Sequence, residues 1–553
     1  MMKSLESRYP LILLILGAVF YLPFLGQAHL FDWDEINFAE AAREMLVLDE
    51  YLRVYINYEP FWEKPPLFLW MQALSMGMLG IGEYAARLPN AVCGILSLLI
   101  LYRIGKTLYT PRFGFIWALS YFGCVLPFVY FKSGIIDPFF NLFIFTGLYY
   151  FVLGYWKKGA SPDLSLPWSK WAYFALGGAL IGLGILTKGP VAYLIAGLCM
   201  AVYWIKGRFR FYVNVPEFLL FSVAALLVTA LWFGIETLRN GPWLVEEFVT
   251  YQIRLFSTGD AGHKGFPGYH FVVLLIGCFP ASLFAIRAMR KFPSAAQPHQ
   301  ADFRSWMLIL FWVVLILFSI VQTQILHYSS LCYFPLTFLA ALTIDQCLAQ
   351  RLSLPRWLLV GLGVIGGLFI VATLALPWLG QNIETIKPLF AADPFASANL
   401  EAEVTWHWWH SIPGWVLLSA MGGFFFLKKS QVSLKPFYLL WGGTALFVLL
   451  TLTLNIPNIE AYSQRAAVEF YEGKQQEDCY IVPVGFKSYA HLFYARKRPV
   501  TDERAFDTQW LLNGEVDKPV YVVCKIHKAE NLEAWPQLDK LYEKNGFLFF
   551  QRK

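Results

Sequence analysis

Charged residues are scarce in this 553-residue chain. Asp, Glu, Lys and Arg make up 15% of it, hydrophobic residues make up 57%, and the mean hydropathy is +0.50. Soluble globular domains carry about a quarter charged residues, so this composition excludes an ordinary water-soluble protein. The apolar runs are long and continuous, whereas the strands of a membrane barrel read as short alternating segments. The sequence therefore predicts a polytopic α-helical membrane protein.

Other features are lacking, and their absence excludes several kinds of site. The eight cysteines are scattered and form no metal-type cluster. No glycine-rich phosphate-binding loop is present, and no repeat or low-complexity segment is evident. The net charge of +6 does not imply nucleic acid, because the basic residues lie mostly in short turns between apolar runs. Cys479 and Cys524 lie in the polar tail, and spacing alone leaves their pairing open.

Long apolar runs recur along most of the chain. Because a membrane helix needs about 20 apolar residues, we predict about thirteen spans. They lie near 9–25, 88–108, 113–131, 138–156, 171–187, 189–206, 213–236, 268–286, 305–322, 329–348, 356–379, 411–427 and 435–455. The first follows Lys3 and Arg8, and we interpret it as a retained anchor rather than a cleaved signal peptide.

Basic residues concentrate in every second connection, which predicts that these connections face the cytoplasm. The N-terminus is then cytoplasmic, and an odd number of spans places the tail outside. In that tail, residues 479–484, 519–524 and 546–550 read as strands and residues 538–544 as a helix. We therefore divide the chain into a membrane module, residues 1–455, and a small extracytoplasmic α/β domain, residues 456–553.

The first outward loop is the most densely ionisable part of the chain. Residues 35–48 have the spacing of an amphipathic helix lying along the membrane interface, and residues 65–79 predict a second apolar helix that begins at prolines. Simpler roles are open here. Asp34 is also a suitable helix N-cap, and Glu63 with Lys64 also reads as a solvated charge pair.

Further polar groups fall in the other outward connections. They are Asp137, Lys188 in a Thr-Lys-Gly-Pro turn, a loop with His263 and His270, and a turn with His327 and Tyr328. A lysine beside apolar runs is costly unless it faces a cavity or a partner, although snorkelling to the interface is the simpler reading of one lysine alone. Cations at one membrane face can hold a lipid phosphate, and a neighbouring carboxylate can act as a base. The pattern predicts transfer of a group from a lipid phosphate to an acceptor outside the cytoplasm.

Two motifs in the first loop carry a family resemblance. Asp34-Glu35-x-x-Phe38-Ala39-Glu40 and Phe61-Trp62-Glu63-Lys64-Pro65-Pro66-Leu67 resemble the loop motifs of the GT-C class of lipid-linked-sugar glycosyltransferases. The pattern is similar above all to aminoarabinose (lipid A) transferases and protein O-mannosyltransferases. Residues 86–89 and 187–189 match in type and order. The resemblance covers the whole bundle and the tail.

The resemblance implies an inverting glycosyltransferase. It would move a sugar from a polyprenyl-phosphate donor to a lipid A, glycan or protein acceptor on the outer face of the bacterial inner membrane. Asp34 and Asp137 would be catalytic, and Lys64 and Lys188 would bind the donor phosphate. We add three further substrate-binding candidates, Glu35, Glu40 and Tyr328.

No cofactor is expected to be required, and a divalent metal is left open. Glu63 and His263 resemble positions linked to a metal in the aminoarabinose transferases, but two ligands make an incomplete site. The family often has Arg-Tyr where this chain has Asn37-Phe38, which leaves the donor and the acceptor open. A flippase for a lipid-linked intermediate is the alternative, and it predicts charges within the spans and a two-sided cavity. A non-catalytic scaffold is a third hypothesis, but it leaves the first loop unexplained.

Overall fold

The structure is a computed structural model that describes residues 6–158, 164–257, 266–290, 297–321, 324–350, 352–428, 433–500, 502–529, 532 and 535–553. Helices dominate it. The first half contains α1 Tyr9–Tyr21, α2 Asp34–Leu48, α3 Leu67–Leu79, α4 Glu83–Leu108, α5 Pro111–Phe122, α6 Val125–Tyr130, α7 Asp137–Lys158, α8 Lys170–Lys188, α9 Val191–Lys206, α10 Val215–Asn240 and α11 Trp243–Ser257, with a small hairpin of β1 Tyr55–Ile56 and β2 Glu59–Pro60.

The second half continues the bundle and ends in a sheet. Its helices are α12 Tyr269–Gly277, α13 Ala281–Arg290, α14 Pro298–Ile320, α15 Tyr333–Ala349, α16 Arg356–Gln381, α17 Ile383–Ile386, α18 Pro394–Asn399, α19 Ile412–Lys428, α20 Lys435–Leu450, α21 Ile456–Ala461, α22 Arg465–Glu472, α23 Ala490–Tyr494 and α24 Thr508–Asn513. Its strands are β3 Tyr480–Val484, β4 Val520–Lys525, β5 Leu538–Lys544 and β6 Phe547–Arg552. A 3₁₀ segment, Leu326–Cys332, leads into α15.

Within the described ranges, nine helical segments are long and apolar enough to cross a membrane, or ten if the pair α12 and α13, bent by 114°, is one broken span. The predicted count of about thirteen is not confirmed. Tyr9–Tyr21 and Val191–Lys206 are apolar but shorter than the other spans, and the predicted run 113–131 is divided between α5 and α6. A hydropathy pattern alone does not show where a helix breaks or how much a turn shortens it.

Small residues let the central helices approach closely. A side chain at Gly177 of α8 would lie 2.9 Å from the Gly147 carbonyl oxygen of α7, and one at Gly182 would lie 2.7 Å from the Ala225 carbonyl oxygen of α10. Close backbone contact of this kind is how helices associate in lipid, where burying apolar surface gives no preference for protein over lipid. Because α7 and α8 run antiparallel, the start of one lies beside the end of the other.

Helix α2 of the first outward loop is buried within the protein. It forms as predicted, and every residue from Glu35 to Met45 is buried. Its position along the membrane interface stays a prediction. Glu35 and Glu40 pair with Arg87 and Arg43, so these two charges need no contact with water.

The tail contains a four-stranded sheet in the order β3-β4-β6-β5, with β3 and β4 parallel and the other pairs antiparallel. The helix predicted over 538–544 is wrong, because these residues form β5. Asn545 and Gly546 follow it with φ of 50° and 77°, the left-handed pair that a two-residue hairpin turn requires. This charged segment alternates little between polar and apolar residues, and the turn after it is what marks the hairpin.

The register of the sheet also fixes the separation of Cys479 and Cys524. Cys524 lies opposite Val484 in the register, whereas Cys479 comes just before Tyr480, which lies opposite Val520. At about 3.3 Å per strand residue, the two cysteines are roughly 15 Å apart, beyond disulfide reach. Both side chains are buried, and no disulfide joins them.

The tail and the first loop are held together by hydrogen bonds. The Leu30 N–H donates to the Tyr494 hydroxyl at 2.6 Å, and the Gln464 amide donates to the Leu30 carbonyl at 2.7 Å. The Tyr58 hydroxyl donates to the Lys497 carbonyl. The tail therefore packs directly on the loop that carries the acidic motifs.

Candidate active site

Two predicted site residues meet at the ends of neighbouring helices. Asp137 is the first residue of α7 and Lys188 the last residue of α8. A carboxylate suits a helix N-terminus and a cation suits a C-terminus. The Lys188 Nζ donates to Asp137 Oδ1 at 2.6 Å, and the two side chains are 16% and 3% exposed. This is a buried ion pair at the outward end of the bundle.

The end of α8 is shaped by a glycine. Gly189 has a φ of +116°, and a Cβ there would lie 2.8 Å from the Phe248 ring. A side chain at this position would therefore be strained and crowded. The turn stops the helix directly after Lys188 and leaves the lysine facing inward.

His327 joins two acids that lie far apart in the sequence. Its Nε2 lies 3.5 Å from Asp34 Oδ2 and 3.9 Å from Asp137 Oδ2. Asp137 Oδ2 is buried and makes no hydrogen bond within the described part of the protein. It is therefore available to accept a hydrogen bond from a ligand.

Asp34 does not cap its helix. Trp33 occupies the N-cap position of α2, and no side chain makes a capping hydrogen bond there. The Asp34 carboxylate lies near His327 instead. Asp34 therefore does not act as the N-cap of α2. As the first helical residue, Asp34 still benefits from the helix dipole.

Lys64 lies in the same cluster, directly before the prolines that start α3. Its Nζ is 5.1 Å from the centre of the Tyr251 ring. Burial lowers the pKa of Lys64, and the carboxylates of Glu63 and Asp34 oppose that shift. Lys188 and Asp137 also act on the Lys64 charge, as a neighbouring cation and a neighbouring carboxylate. Lys64 is thus held in the protein rather than in a solvated pair.

Tyr328 lies beside Lys188, whose Nζ is 5.1 Å from the centre of the Tyr328 ring. Phe140 lies 5.6 Å from the same Nζ. These rings shield the lysine from water on two sides and strengthen its attraction for an anion. The structure thus brings together Asp34, Lys64, Asp137, Lys188 and Tyr328 of the predicted set.

Glu35 is engaged inside the protein. It accepts hydrogen bonds from Arg87 Nε at 2.9 Å and from Arg87 Nη2 at 2.8 Å, and also from the Phe31 and Gly134 N–H groups. Burial alone raises the pKa of Glu35, but the Arg87 guanidinium and these hydrogen bonds hold it below its usual value. Arg87 also donates to the Leu25 and Ala28 carbonyls. Glu35 is therefore a positioning residue that fixes the loop before Asp34.

Glu40 is likewise occupied, since Arg43 donates to both of its carboxylate oxygens at 2.7 and 2.6 Å. Glu44 lies beside this pair and accepts from the Tyr58 N–H at 2.8 Å. Burial and the Glu40 charge raise the pKa of Glu44 well above its usual value. Glu35 and Glu40 are thus both paired with arginines, and their contact with substrate stays a prediction.

The predicted metal position is only partly described. His263 lies outside the described residues, and Glu63 is close to Tyr251, whose pKa is raised first by burial and then by that carboxylate. Within the described ranges, one trio of His and carboxylate groups has ligand atoms within 4.8 Å of one another, namely His29, Glu83 and Glu472. That trio does not include Glu63.

Sequence reasoning missed two members of the cluster. His327 was noted only as part of its turn, because a single histidine beside an apolar run carries no spacing signal. Tyr251 is the second, because nothing in the sequence places its ring against Lys64. The order of the outward turns could have indicated both residues, since all of these turns are predicted to lie at one face of the bundle.

Comparisons with known proteins agree with this geometry. The family model described as dolichyl-phosphate-mannose-protein mannosyltransferase matches residues 63–233. The undecaprenyl phosphate-alpha-4-amino-4-deoxy-L-arabinose arabinosyl transferase of Erwinia tasmaniensis is 26% identical over 406 residues, 70% of each chain. Its namesake from Pseudomonas paraeruginosa is 28% identical over 394 residues, 69% of this chain and 67% of its own.

Solved structures give the same answer for the fold. The crystal structure of ArnT from Cupriavidus metallidurans bound to undecaprenyl phosphate has a TM-score of 0.78 at 18% identity and covers 98% of this chain and 97% of its own. Its apo state has a TM-score of 0.75 at 19% identity, covering 99% and 98%. The predicted GT-C membrane fold is confirmed, and so is the resemblance to lipid-linked-sugar glycosyltransferases.

Proposed function

We propose that this membrane protein transfers a sugar from a polyprenyl-phosphate donor to a lipid A acceptor at the outer face of the bacterial inner membrane. One observation carries the proposal. Asp34 and Lys64 from the first loop, and Asp137 and Lys188 from two later turns, form one cluster with His327 at one end of the helix bundle. Carboxylates and lysines in one site are what transfer from a lipid phosphate requires.

The donor phosphate fits between the two lysines. Lys188 gives one hydrogen bond to Asp137, and an ammonium carries three N–H donors, so others remain for a phosphate. An apolar cavity of about 530 Å³ begins one helical turn away at Ile185 and Pro190 and continues along Leu194 and Leu226. A prenyl chain has the apolar character of that lining. Phosphate at the lysines and prenyl tail in the cavity place the anomeric carbon near the carboxylates.

The reaction is a single displacement at that carbon. The acceptor oxygen forms the new bond to the anomeric carbon, and the bond to the phosphate oxygen breaks, releasing polyprenyl phosphate. The lysines stabilise the negative charge that develops on the leaving phosphate. A hydroxyl acceptor gives its proton to Asp34, with Asp137 and His327 beside it, whereas an ionised phosphate acceptor needs only to be oriented.

The choice of sugar and acceptor is supported by the relatives. Two are named undecaprenyl phosphate-aminoarabinose arabinosyl transferases, so aminoarabinose is the sugar and undecaprenyl phosphate the carrier that we propose. The lipid A acceptor follows from the sequence resemblance. The cytoplasmic N-terminus and the outward tail rest on the alternation of basic connections.

The flippase alternative has less support. A transporter needs ionisable groups that become accessible from both sides of the membrane. Here the catalytic candidates lie at one end of the bundle, and the family and relatives reported above are sugar transferases. No divalent metal is assigned a role in the proposed reaction.

Purified full-length protein with radiolabelled undecaprenyl-phosphate aminoarabinose tests the function. We expect labelled lipid A that gains the mass of one sugar, together with released undecaprenyl phosphate. Donor carrying mannose, and acceptor peptide in place of lipid A, are the matched comparisons. Donor that moves between leaflets of a vesicle without sugar transfer to any acceptor contradicts the proposal.

A further inference from the structure

A cationic and aromatic surface lies beside the cluster. The rings of Trp33 and Tyr489 stack with their centres 6.3 Å apart and their planes at 24°. The Lys487 Nζ lies 5.4 Å from the Trp33 ring centre and 5.7 Å from that of Tyr489. Trp33 is 44% exposed, and Lys487 is also exposed. We call Trp33, Lys487 and Tyr489 the ledge.

The first loop and the tail build the ledge together. Trp33 directly precedes Asp34, whereas Lys487 and Tyr489 follow strand β3. The Asp32 N–H donates to the Gln464 side-chain oxygen at 3.5 Å, and the Leu30 N–H donates to the Tyr494 hydroxyl at 2.6 Å. These hydrogen bonds tie the two segments to each other. The ledge is thus a fixed feature that neither segment forms alone.

The two lysines near the ledge differ in their partners. A second lysine, Lys525, lies 4.5 Å from the Phe395 ring centre and interacts with the carboxylates of Asp32 and Asp393. Lys487 forms no ion pair with any residue that the structure describes. An exposed lysine held over two rings by its own neighbours is preorganised for an external anion.

The ledge adjoins the predicted reaction centre, because Trp33 directly precedes Asp34. Burial, followed by the carboxylates of Glu63 and Glu59, raises the pKa of Tyr489 to about 12. The Glu63 carboxylate therefore acts on Tyr489. None of the three ledge residues lines the apolar cavity at Ile185 and Pro190, which we assign to the donor tail.

We propose that the ledge binds the phosphorylated sugar head group of the acceptor, with Trp33 and Tyr489 against the sugar ring and Lys487 on its phosphate. This inference rests on the proposed function, because it names the acceptor side of the same site. The donor phosphate belongs to Lys64 and Lys188, so a second, separate anion position is what an anionic acceptor needs. The tail then selects the acceptor by its charge.

Binding of lipid A to the full-length protein, measured without donor, tests this proposal. Lipid A with two phosphates and the same lipid after removal of its phosphates are the two probes. We expect Lys487→Ala to weaken binding of the phosphorylated lipid about tenfold, the equivalent of one charge-assisted hydrogen bond. Lys487→Arg should retain binding. Trp33→Ala should weaken both probes, because it removes the ring platform.

The control is Lys518→Ala. Lys518 also lies over a ring of the tail, 5.7 Å from the Tyr480 ring centre, but at the other end of strand β3. We expect this variant to bind both probes like the wild type. Removing the lipid phosphates should weaken wild-type binding about tenfold and leave Lys487→Ala binding unchanged.

Three outcomes would contradict the proposal that the ledge binds the acceptor. They are unchanged binding in Lys487→Ala and Trp33→Ala, equal wild-type affinity for both lipids, and equal loss in the Lys518→Ala control. Thermal unfolding of each variant separates lost binding from lost folding. Failure of the proposed transferase function is detected by a separate measurement. In that case the wild-type protein consumes no donor, whatever its affinity for lipid A.

Discussion

Replacing Lys188 with methionine separates the structural from the chemical role of its ion pair. Lys188 donates to Asp137 at 2.6 Å, and the two side chains are 16% and 3% exposed. Methionine keeps the length of the side chain but leaves Asp137 buried without its cation. Breaking a buried pair on one side costs about 3–5 kcal/mol, because the remaining charge is uncompensated.

The second replacement, Asp137→Asn, removes that uncompensated charge. A neutral pair of similar shape is near neutral for stability, so the double variant should recover most of the lost unfolding free energy. Activity should not recover. Loss of one preorganised donor to a developing charge costs about 10²–10³ in kcat, and the double variant has neither that cation nor the Asp137 carboxylate.

Two assays on the same preparations check this. Thermal unfolding in detergent should show a large loss for Lys188→Met and near-recovery for the double variant. Sugar transfer from the polyprenyl-phosphate donor should stay low in both variants. If transfer recovers together with stability, Lys188 serves only as the partner of Asp137, and our assignment to the donor phosphate is refuted.

Three further predictions concern the surrounding residues. Arg87→Met should lower stability by about 3–5 kcal/mol, because Glu35 stays buried and unpaired, and unfolding that equals the wild type would contradict this. Burial lowers the pKa of Lys64, so its ammonium is lost at a lower pH than that of an ordinary lysine. Lys64→Arg should therefore move the alkaline limb of the pH–rate profile to higher pH. If the limb does not move, it reports the titration of another group. Burial raises the pKa of Glu44, so the folded state keeps a proton that the unfolded chain loses above about pH 4.5, and wild-type stability should fall as pH rises from there by up to about 1.4 kcal/mol per pH unit. Glu44→Gln should flatten this slope. If the unfolding free energy of the wild type and of Glu44→Gln changes equally between pH 5 and pH 7, Glu44 is already ionised in the folded state.

Helix ends explain why much of the site was predictable. Asp137 and Lys188 each stand where an apolar run meets an outward turn, and antiparallel helices bring such points together. Asp34 and Lys64 lie within one loop, so a single buried loop brings them into reach of each other. The outward face could therefore be read from the order of spans and turns.

Pairings across the fold were not predictable in the same way. Glu40 and Arg43 are three residues apart on a helix, a spacing at which opposite charges meet. Glu35 and Arg87 are separated by the whole loop, and nothing local links them. The Glu40 pairing could therefore be predicted from local spacing, whereas the Glu35 pairing could not.

Local conformation accounts for the remaining differences. His327 stands in a 3₁₀ turn, whose direction the surrounding apolar residues do not encode. The strand Leu538–Lys544 alternates too little to reveal itself, and only the Asn545-Gly546 turn marks its hairpin. The burial of α2 depends on charge pairing that hydropathy patterns do not register.

The central claim is that Asp34 and Lys64 act on one substrate in one pocket. A double-mutant cycle in kcat/KM, using Asp34→Asn, Lys64→Met and both together in purified protein with a polyprenyl-phosphate sugar donor, tests it most directly. We predict that each single change lowers transfer by about 10² or more and that the double change is far less than multiplicative. Undiminished transfer in either single variant, or losses that simply multiply, would contradict a shared reaction centre.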